Sequence, residues 1–190
     1  MPAAEQVAAV ILAGGQGSRM GGADKGLVEY RGRALIEWAL DALRPQVDEL
    51  VISANRNLAT YATYGSRVLP DTLPGYPGPL AGVLAAMQSV TADWLVVVPC
   101  DTPYLPTDLV ARLLDAAQRA QVSLAIAADD THTHHTCFIV RTNQRDALAA
   151  FLARGERAVH RWQAELPSTE VLFDAAAFAN LNRPEDLSKV

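Results

Sequence analysis

Val7-Ala8-Ala9-Val10-Ile11-Leu12-Ala13-Gly14-Gly15-Gln16-Gly17-Ser18-Arg19-Met20-Gly21-Gly22-Ala23-Asp24-Lys25-Gly26 is an apolar run that breaks into a glycine-rich, cationic loop. The run Val7–Leu12 is short and nearly continuous in apolar residues, as a strand buried on both faces should be. Beyond it, five glycines between Gly14 and Gly22 are interleaved with Arg19 and followed by Lys25. Glycine lets a backbone approach a ligand closely. Successive free N–H groups in such a loop form an anion-favouring concavity. Arg19 offers a planar fork for phosphate oxygens and Lys25 a compact positive charge. The stretch reads as a triphosphate cradle at the end of a first buried strand, which predicts an α/β sheet protein. The dinucleotide fingerprint is excluded, because Gly15-Gln16-Gly17 is followed by Met20 where a third glycine is required. The other common phosphate loop is excluded because Gly22 is followed by Ala23, not Lys-Ser/Thr.

Working outward, the 190-residue chain is half hydrophobic and 19% charged, which describes a globular protein. The length predicts one domain over residues 1–190. A net charge of −5 and a pI near 5.3 argue against a nucleic-acid partner, which would need a basic face. No run approaches membrane-spanning length and the N-terminus lacks a basic start, so neither a membrane segment nor a signal peptide is expected. Cys100 and Cys137 lack the spacing of a zinc site or a redox pair, lie in apolar runs, and fit a reducing cytoplasm.

Strand-like runs recur at Val7–Leu12, Glu49–Ser53, Arg67–Leu69, Trp94–Val98, Ser123–Ala127, Cys137–Val140 and Glu170–Phe173. Helical patterns lie between them at Ala34–Leu43, Leu80–Val90, Thr107–Ala120 and Arg145–Ala153, with Thr107 as expected N-cap. The alternation predicts a single doubly wound, mostly parallel sheet with helices on both faces. Ligands of such sheets bind beyond the carboxyl ends of the strands. Four features fall there: the Gly loop, Ser53-Ala54-Asn55-Arg56, Asp71 and Asp101.

Asp101 follows Val96-Val97-Val98, so its carboxylate should emerge on a rigid strand end, and its hard oxygens suit Mg²⁺. Asp71 reads as a second position around the metal, a ribose or base contact, or a plain loop residue. Transfer onto an acceptor phosphate by attack on an α-phosphorus needs no covalent nucleophile. It needs alignment and charge stabilisation, for which Arg19, Lys25 and Asp101 are the catalytic candidates. Gly75-Tyr76-Pro77-Gly78-Pro79-Leu80-Ala81-Gly82 opens a helix and reads either as a second anion or base site or as a stiff turn. Asn180-Leu181-Asn182 reads as a helix start or as two amides on one side of an extended segment. Thr131-His132-Thr133-His134-His135-Thr136 reads as a polar loop that could border an acceptor pocket, with a metal cluster as the weaker reading.

These motifs together resemble the molybdenum cofactor guanylyltransferases, members of the Rossmann-like nucleotidyltransferases that transfer GMP from GTP to molybdopterin. The resemblance rests on Leu12-Ala13-Gly14-Gly15, Arg19-Met20-Gly21-Gly22, Asp24-Lys25-Gly26-Leu27, Asn55-Arg56, Asp71, Tyr76-Pro77-Gly78-Pro79-Leu80-Ala81-Gly82, Pro99-Cys100-Asp101-Thr102-Pro103, Gly155-Glu156-Arg157 and Asn180-Leu181-Asn182. It implies GTP contacts at Leu12, Ala13, Gly14, Gly15, Lys25, Asn55, Asp71 and Asp101, with Mg²⁺ on Asp101. On the acceptor side it implies Gly78, Gly82, Arg157, Asn180 and Asn182. A nucleotide half over about 1–105 and an acceptor half over about 106–190 follow. GTP and molybdopterin are the implied partners, with other cofactor-assembly proteins and apo-molybdoenzymes as further candidate partners. Ser53 departs from the family's usual Asn, and Arg183 from its usual Thr. The alternatives are cytidylyl transfer to the same pterin, transfer to another phosphorylated acceptor, or a non-catalytic GTP-responsive carrier.

Overall fold

A computed structural model of the chain describes residues 5–14, 24–71 and 78–179. β1 is Val7–Leu12, followed by the hairpin β2 (Glu29–Tyr30) and β3 (Arg33–Ala34) that leads into α1 (Leu35–Leu43). Then come β4 (Glu49–Ser53), α2 (Leu58–Ala62), β5 (Arg67–Leu69), α3 (Pro79–Ser89), β6 (Trp94–Pro99) and α4 (Leu109–Ala120). The remainder is β7 (Leu124–Ala128), β8 (Thr133–Arg141), α5 (Arg145–Ala153), α6 (Val159–Gln163) and β9 (Ser168–Leu172). Among the described residues, seven strands form one sheet in the order β5-β4-β1-β6-β8-β7-β9. It is mostly parallel: only β8 runs antiparallel to its neighbours, β6 and β7.

The period-two alternation of the buried strands assigns the faces. Val7, Ala9 and Ile11 of β1 and Trp94, Val96 and Val98 of β6 pack with α1 and α4. Ala8 and Val10 of β1 and Leu95 and Val97 of β6 pack with α3 and α5. Each fully buried Leu, Val or Ile on these faces contributes about 1.5–3 kcal/mol by leaving water. With both faces covered, β1 lies between β4 and β6 near the middle of the sheet, a rigid support for Ala13 and Gly14 at its exit.

Two local expectations are corrected. α4 starts at Leu109 with Asp108 at its N-cap, not Thr107, and the Asp108 side chain makes no capping bond. The Val110 N–H instead donates to Gln46 Oε1 at 3.0 Å, a cap supplied from across the fold. Gln46 is held in turn by donating to the Ala42 and Pro106 carbonyls. Four of the six residues of the expected loop 131–136 are strand, because β8 begins at Thr133, paired with Ala128 of β7. The elements β2, β3, α2 and α6 are too short to show periodicity.

Among the described residues no helix is long and apolar enough to cross a membrane. Cys100 and Cys137 are buried free thiols, and burial pushes the Cys137 thiol up to about 12. At the opposite end of the sheet from the Gly loop, Glu5 accepts from Trp94 Nε1 at 2.8 Å and Gln118 Nε2 at 2.9 Å, and pairs with Arg141 at 2.7 Å. These donors, Trp94 foremost, lower the Glu5 carboxyl from 4.5 to about 2. A carboxyl lowered on folding stabilises the fold above its unfolded value and loses that stabilisation as pH falls toward its folded value. Glu5→Gln should therefore show a shallower loss of stability than wild type between about pH 4.5 and 2, read by urea melts across that window.

Candidate active site

The carboxyl ends of β1, β4, β5 and β6 border a cleft of about 270 Å³. Leu12, Ala13 and Gly14 come from β1 and its exit, Ser53 from the end of β4, and Asp71 from just past β5. Pro99, Cys100 and Asp101 close it from β6, and Gly78, Pro79 and Gly82 from the start of α3. Lys25 and Thr136 complete the lining.

Each wall has a local cause. α3 starts with Gly78 at φ 85°, a left-handed conformation open to glycine, followed by Pro79 whose fixed φ suits a first helical position. Its positive dipole end therefore faces the cleft, a favourable setting for an anion, while Pro79 has no N–H and the Ala81 N–H donates to the Gly78 carbonyl at 3.2 Å. Gly82 lets this helix sit directly on β4 and β1, because a Cβ there would overlap the Ser53 side chain and lie 3.2 Å from Leu12 Cδ2. The Ala13 N–H donates to the Ser53 carbonyl at 2.8 Å, and the Cys100 N–H to the Leu12 carbonyl at 3.1 Å, which fix the rim of three strands to one another.

Asn55 Nδ2 donates to Asp71 Oδ2 at 2.8 Å and Asn55 Oδ1 accepts from the Asp71 N–H at 2.8 Å. The same amide lies against Gly14, where a Cβ would come within 3.2 Å of Nδ2. Burial pushes the half-buried Asp71 carboxyl above its ordinary value, with the Asn55 bond opposing. Lys25 and Asp101 form an ion pair across the cleft, with 24% and 11% of their side chains exposed. Immediately before Lys25, Asp24 accepts from the Tyr61 hydroxyl and, at 2.9 Å, from Asn57 Nδ2. Burial, with Asp24 adding to it, raises the Tyr61 hydroxyl, so it remains a donor.

Of the expected residues, Leu12, Ala13, Gly14, Lys25, Asp71, Gly78, Gly82 and Asp101 line the cleft, and Asn55 stands behind Gly14. Gly15, Arg19, Asn180 and Asn182 lie outside the described residues. Arg157 is not among the lining residues: its Nη1 donates to the Leu152 and Glu156 carbonyls at 2.7 and 2.6 Å. Thr136, the last residue of the run 131–136 expected to border an acceptor pocket, lines the cleft. The β6–β8 register pairs Val97 with Phe138, so two residues further Thr136 comes beside Pro99 at the rim. The nine-residue gap between the expected strands 123–127 and 137–140 is too short for a parallel crossover, a signal that β8 reverses and begins at this rim.

The histidine run is engaged by polar partners. His134 Nε2 and Asp129 Oδ2 are 2.7 Å apart, and His135 Nδ1 and Gln163 Oε1 2.7 Å. Asp129 also accepts from the Thr131 hydroxyl and N–H, which hold its carboxyl well below the usual range. Among the described residues no group of three or more His, Cys, Asp or Glu is placed to hold a metal ion by itself. Asp101 and Asp71 nevertheless offer hard oxygen donors in one cleft. That suits Mg²⁺, which takes one or two carboxylates and completes its shell with water and phosphate.

Comparison with known proteins gives the same direction. The MobA-like NTP transferase domain matches residues 9–168. The molybdenum cofactor guanylyltransferase of Shewanella baltica (strain OS185) is 45% identical over 187 residues, covering 97% of this chain and 95% of that protein. The molybdopterin-guanine dinucleotide biosynthesis protein A of Archaeoglobus fulgidus superposes with a TM-score of 0.79 at 24% identity, over 96% of this chain and 95% of that one. The 2-C-methyl-D-erythritol 4-phosphate cytidylyltransferase of Thermus thermophilus shares the fold at a TM-score of 0.73 and 22% identity, over 94% of each chain.

Proposed function

The chain belongs to the MobA-like NTP transferase family, and from that premise we propose that it transfers GMP from GTP to molybdopterin, releasing pyrophosphate and forming molybdopterin guanine dinucleotide. The observation that carries this reading is the 45% identity to a molybdenum cofactor guanylyltransferase over 97% of the chain. The cleft supplies a chemistry to match. An oxygen of the acceptor phosphate attacks the α-phosphorus of GTP, the bond from that phosphorus to the bridging oxygen of the β-phosphate breaks, and pyrophosphate leaves with the electron pair. Leu12, Ala13, Gly14 and Gly15 would take the nucleotide at the β1 exit, with Asn55 and Asp71 fixing its ribose or base. The start of α3 at Gly78 and Gly82 would face the acceptor, and Asn180, Asn182 and Arg157 would take part in recognising it. Arg157 would exchange a backbone carbonyl for the acceptor phosphate.

Lys25 and Asp101 are paired at the cleft. With GTP present, Lys25 would turn to the phosphates and Asp101 would hold Mg²⁺, aided by Asp71. Bound there, Mg²⁺ would neutralise charge on the triphosphate and on the departing pyrophosphate. Arg19 and Lys25 would share that stabilisation, which grows as charge moves onto the leaving group. Buried free thiols fit a cytoplasmic setting.

The test incubates the purified protein with Mg²⁺, molybdopterin and each nucleoside triphosphate in turn, and identifies the product by mass. We expect the guanine dinucleotide with GTP alone, and calorimetric titration to give tighter binding of Mg·GTP than of Mg·CTP or Mg·ATP. Tighter binding and turnover of CTP would move the assignment to cytidylyl transfer. Binding without product would leave a GTP-responsive carrier.

A further inference from the structure

The short helix α2 carries no residue that lines the cleft, yet Tyr61 within it and Asn57 at its N-cap reach the segment that holds Lys25. Asp24 accepts from both, one carboxylate oxygen from the Tyr61 hydroxyl and the other from Asn57 Nδ2 at 2.9 Å. The Asp24 carbonyl accepts from the Leu27 N–H at 3.0 Å, closing the single turn Lys25–Leu27. Gly26 within that turn rests on the same tyrosine: a Cβ there would lie 2.5 Å from the Tyr61 hydroxyl oxygen and 3.3 Å from its ring. The residues before and after Lys25 are thus both fixed to Tyr61, which is fully buried, while the Lys25 side chain extends to Asp101. Asn57 has φ 50°, a left-handed backbone that Asn tolerates and that directs its amide to Asp24 instead of capping its own helix.

We propose that Tyr61 and Asn57 are positioning residues for the transfer reaction, setting the reach of Lys25 through Asp24 and Gly26. This rests on the guanylyl-transfer reading above only in the choice of reaction followed. A lysine on an unheld loop samples many positions, and misplacing a charge by about 1 Å at a reacting centre costs on the order of a hundred-fold. Neither positioning residue lines the cleft, so nucleotide binding by the rest of the cleft should be little affected by their loss. Tyr61→Phe removes the hydroxyl at near-constant volume. Asn57→Gly removes the amide and keeps the left-handed backbone accessible.

The chain has two lysines, Lys25 and Lys189, so ¹³C-lysine labelling of the full-length protein gives a spectrum in which Lys25 is assigned by its loss in Lys25→Ala. With Tyr61→Phe, we expect the Lys25 ε-carbon signal to move toward that of an exposed lysine. We expect kcat for GMP transfer to fall roughly ten- to hundred-fold, with KM for GTP within about three-fold of wild type. In the Lys25→Ala background the same change should cost nothing further, since residues acting as a unit are not additive. If the two losses multiply, or if the Lys25 signal stays at its wild-type position, the proposal is overturned. Should Tyr61→Phe fail to fold by circular dichroism, Asn57→Gly is read by the same three measurements with the same expectations. If the wild-type protein transfers no GMP, the functional reading fails, and the lysine spectrum alone still decides whether Tyr61 places Lys25.

Discussion

Asp101→Asn should lower kcat by about a hundred-fold or more while leaving the fold intact, because a preorganised charge that acts on the transition state is commonly worth that much. The substitution keeps volume and removes charge. Asp101 stands at the end of β6, whose backbone is paired with β1 on one side and β8 on the other, so the side chain should keep its place. What disappears is the anionic partner of Lys25 and the hard donor that Mg²⁺ prefers. The measurement is a kcat determination over a range of Mg²⁺ concentrations, beside circular dichroism and a thermal melt. Turnover equal to wild type at limiting Mg²⁺ would remove Asp101 from the metal's shell.

The second large effect belongs to the other half of that ion pair. Lys25→Ala should depress kcat by roughly a hundred-fold, with a smaller rise in KM for GTP. Charge on the phosphates is greatest as pyrophosphate departs, so a cation placed among them contributes most in the transition state. The same division is expected for Arg19→Ala, from the same loop of the sequence. Steady-state kinetics on both variants separates the possibilities. A raised KM at wild-type kcat would make the two residues ground-state anchors of the triphosphate.

The parts of this architecture that can be read from the chain are those written in short, uninterrupted runs. Val7–Leu12 and Glu49–Ser53 stand in the structure with the bounds their apolar pattern predicts, because strands buried on both faces need little besides apolar residues. The placement of Gly14, Ser53, Asp71 and Asp101 around one opening follows from strand order alone. What is not legible depends on partners distant in sequence. Gln46 caps a helix that starts more than sixty residues later, a contact that no local rule anticipates. Tyr61 reads as one aromatic in a short polar stretch, and only packing brings its hydroxyl to Asp24. Thr136 reads as part of a histidine-rich loop until β8 is seen to run against its neighbours. Ser53, a departure from the family's usual Asn, finds a steric context in the fold: its side chain lies directly beneath Gly82, where α3 comes down on the sheet.

The position of β1 bears on how the protein is made. β1 is made before both of its sheet neighbours, β4 and β6, so neither of its edges is satisfied until residues 49–53 and 94–99 have been synthesised. At about 5–20 residues per second, that is several seconds in which Val7–Leu12 presents an apolar strand with open hydrogen-bonding edges. Such an edge is a template for pairing with other chains. β7 and β8, by contrast, can close as a local hairpin as soon as they emerge, since contacts near in sequence form fastest. The cleft, whose rim joins Leu12 to Ser53 and Cys100, thus waits on three segments far apart in sequence, and a nascent chain that stops short of residue 100 lacks one of its walls.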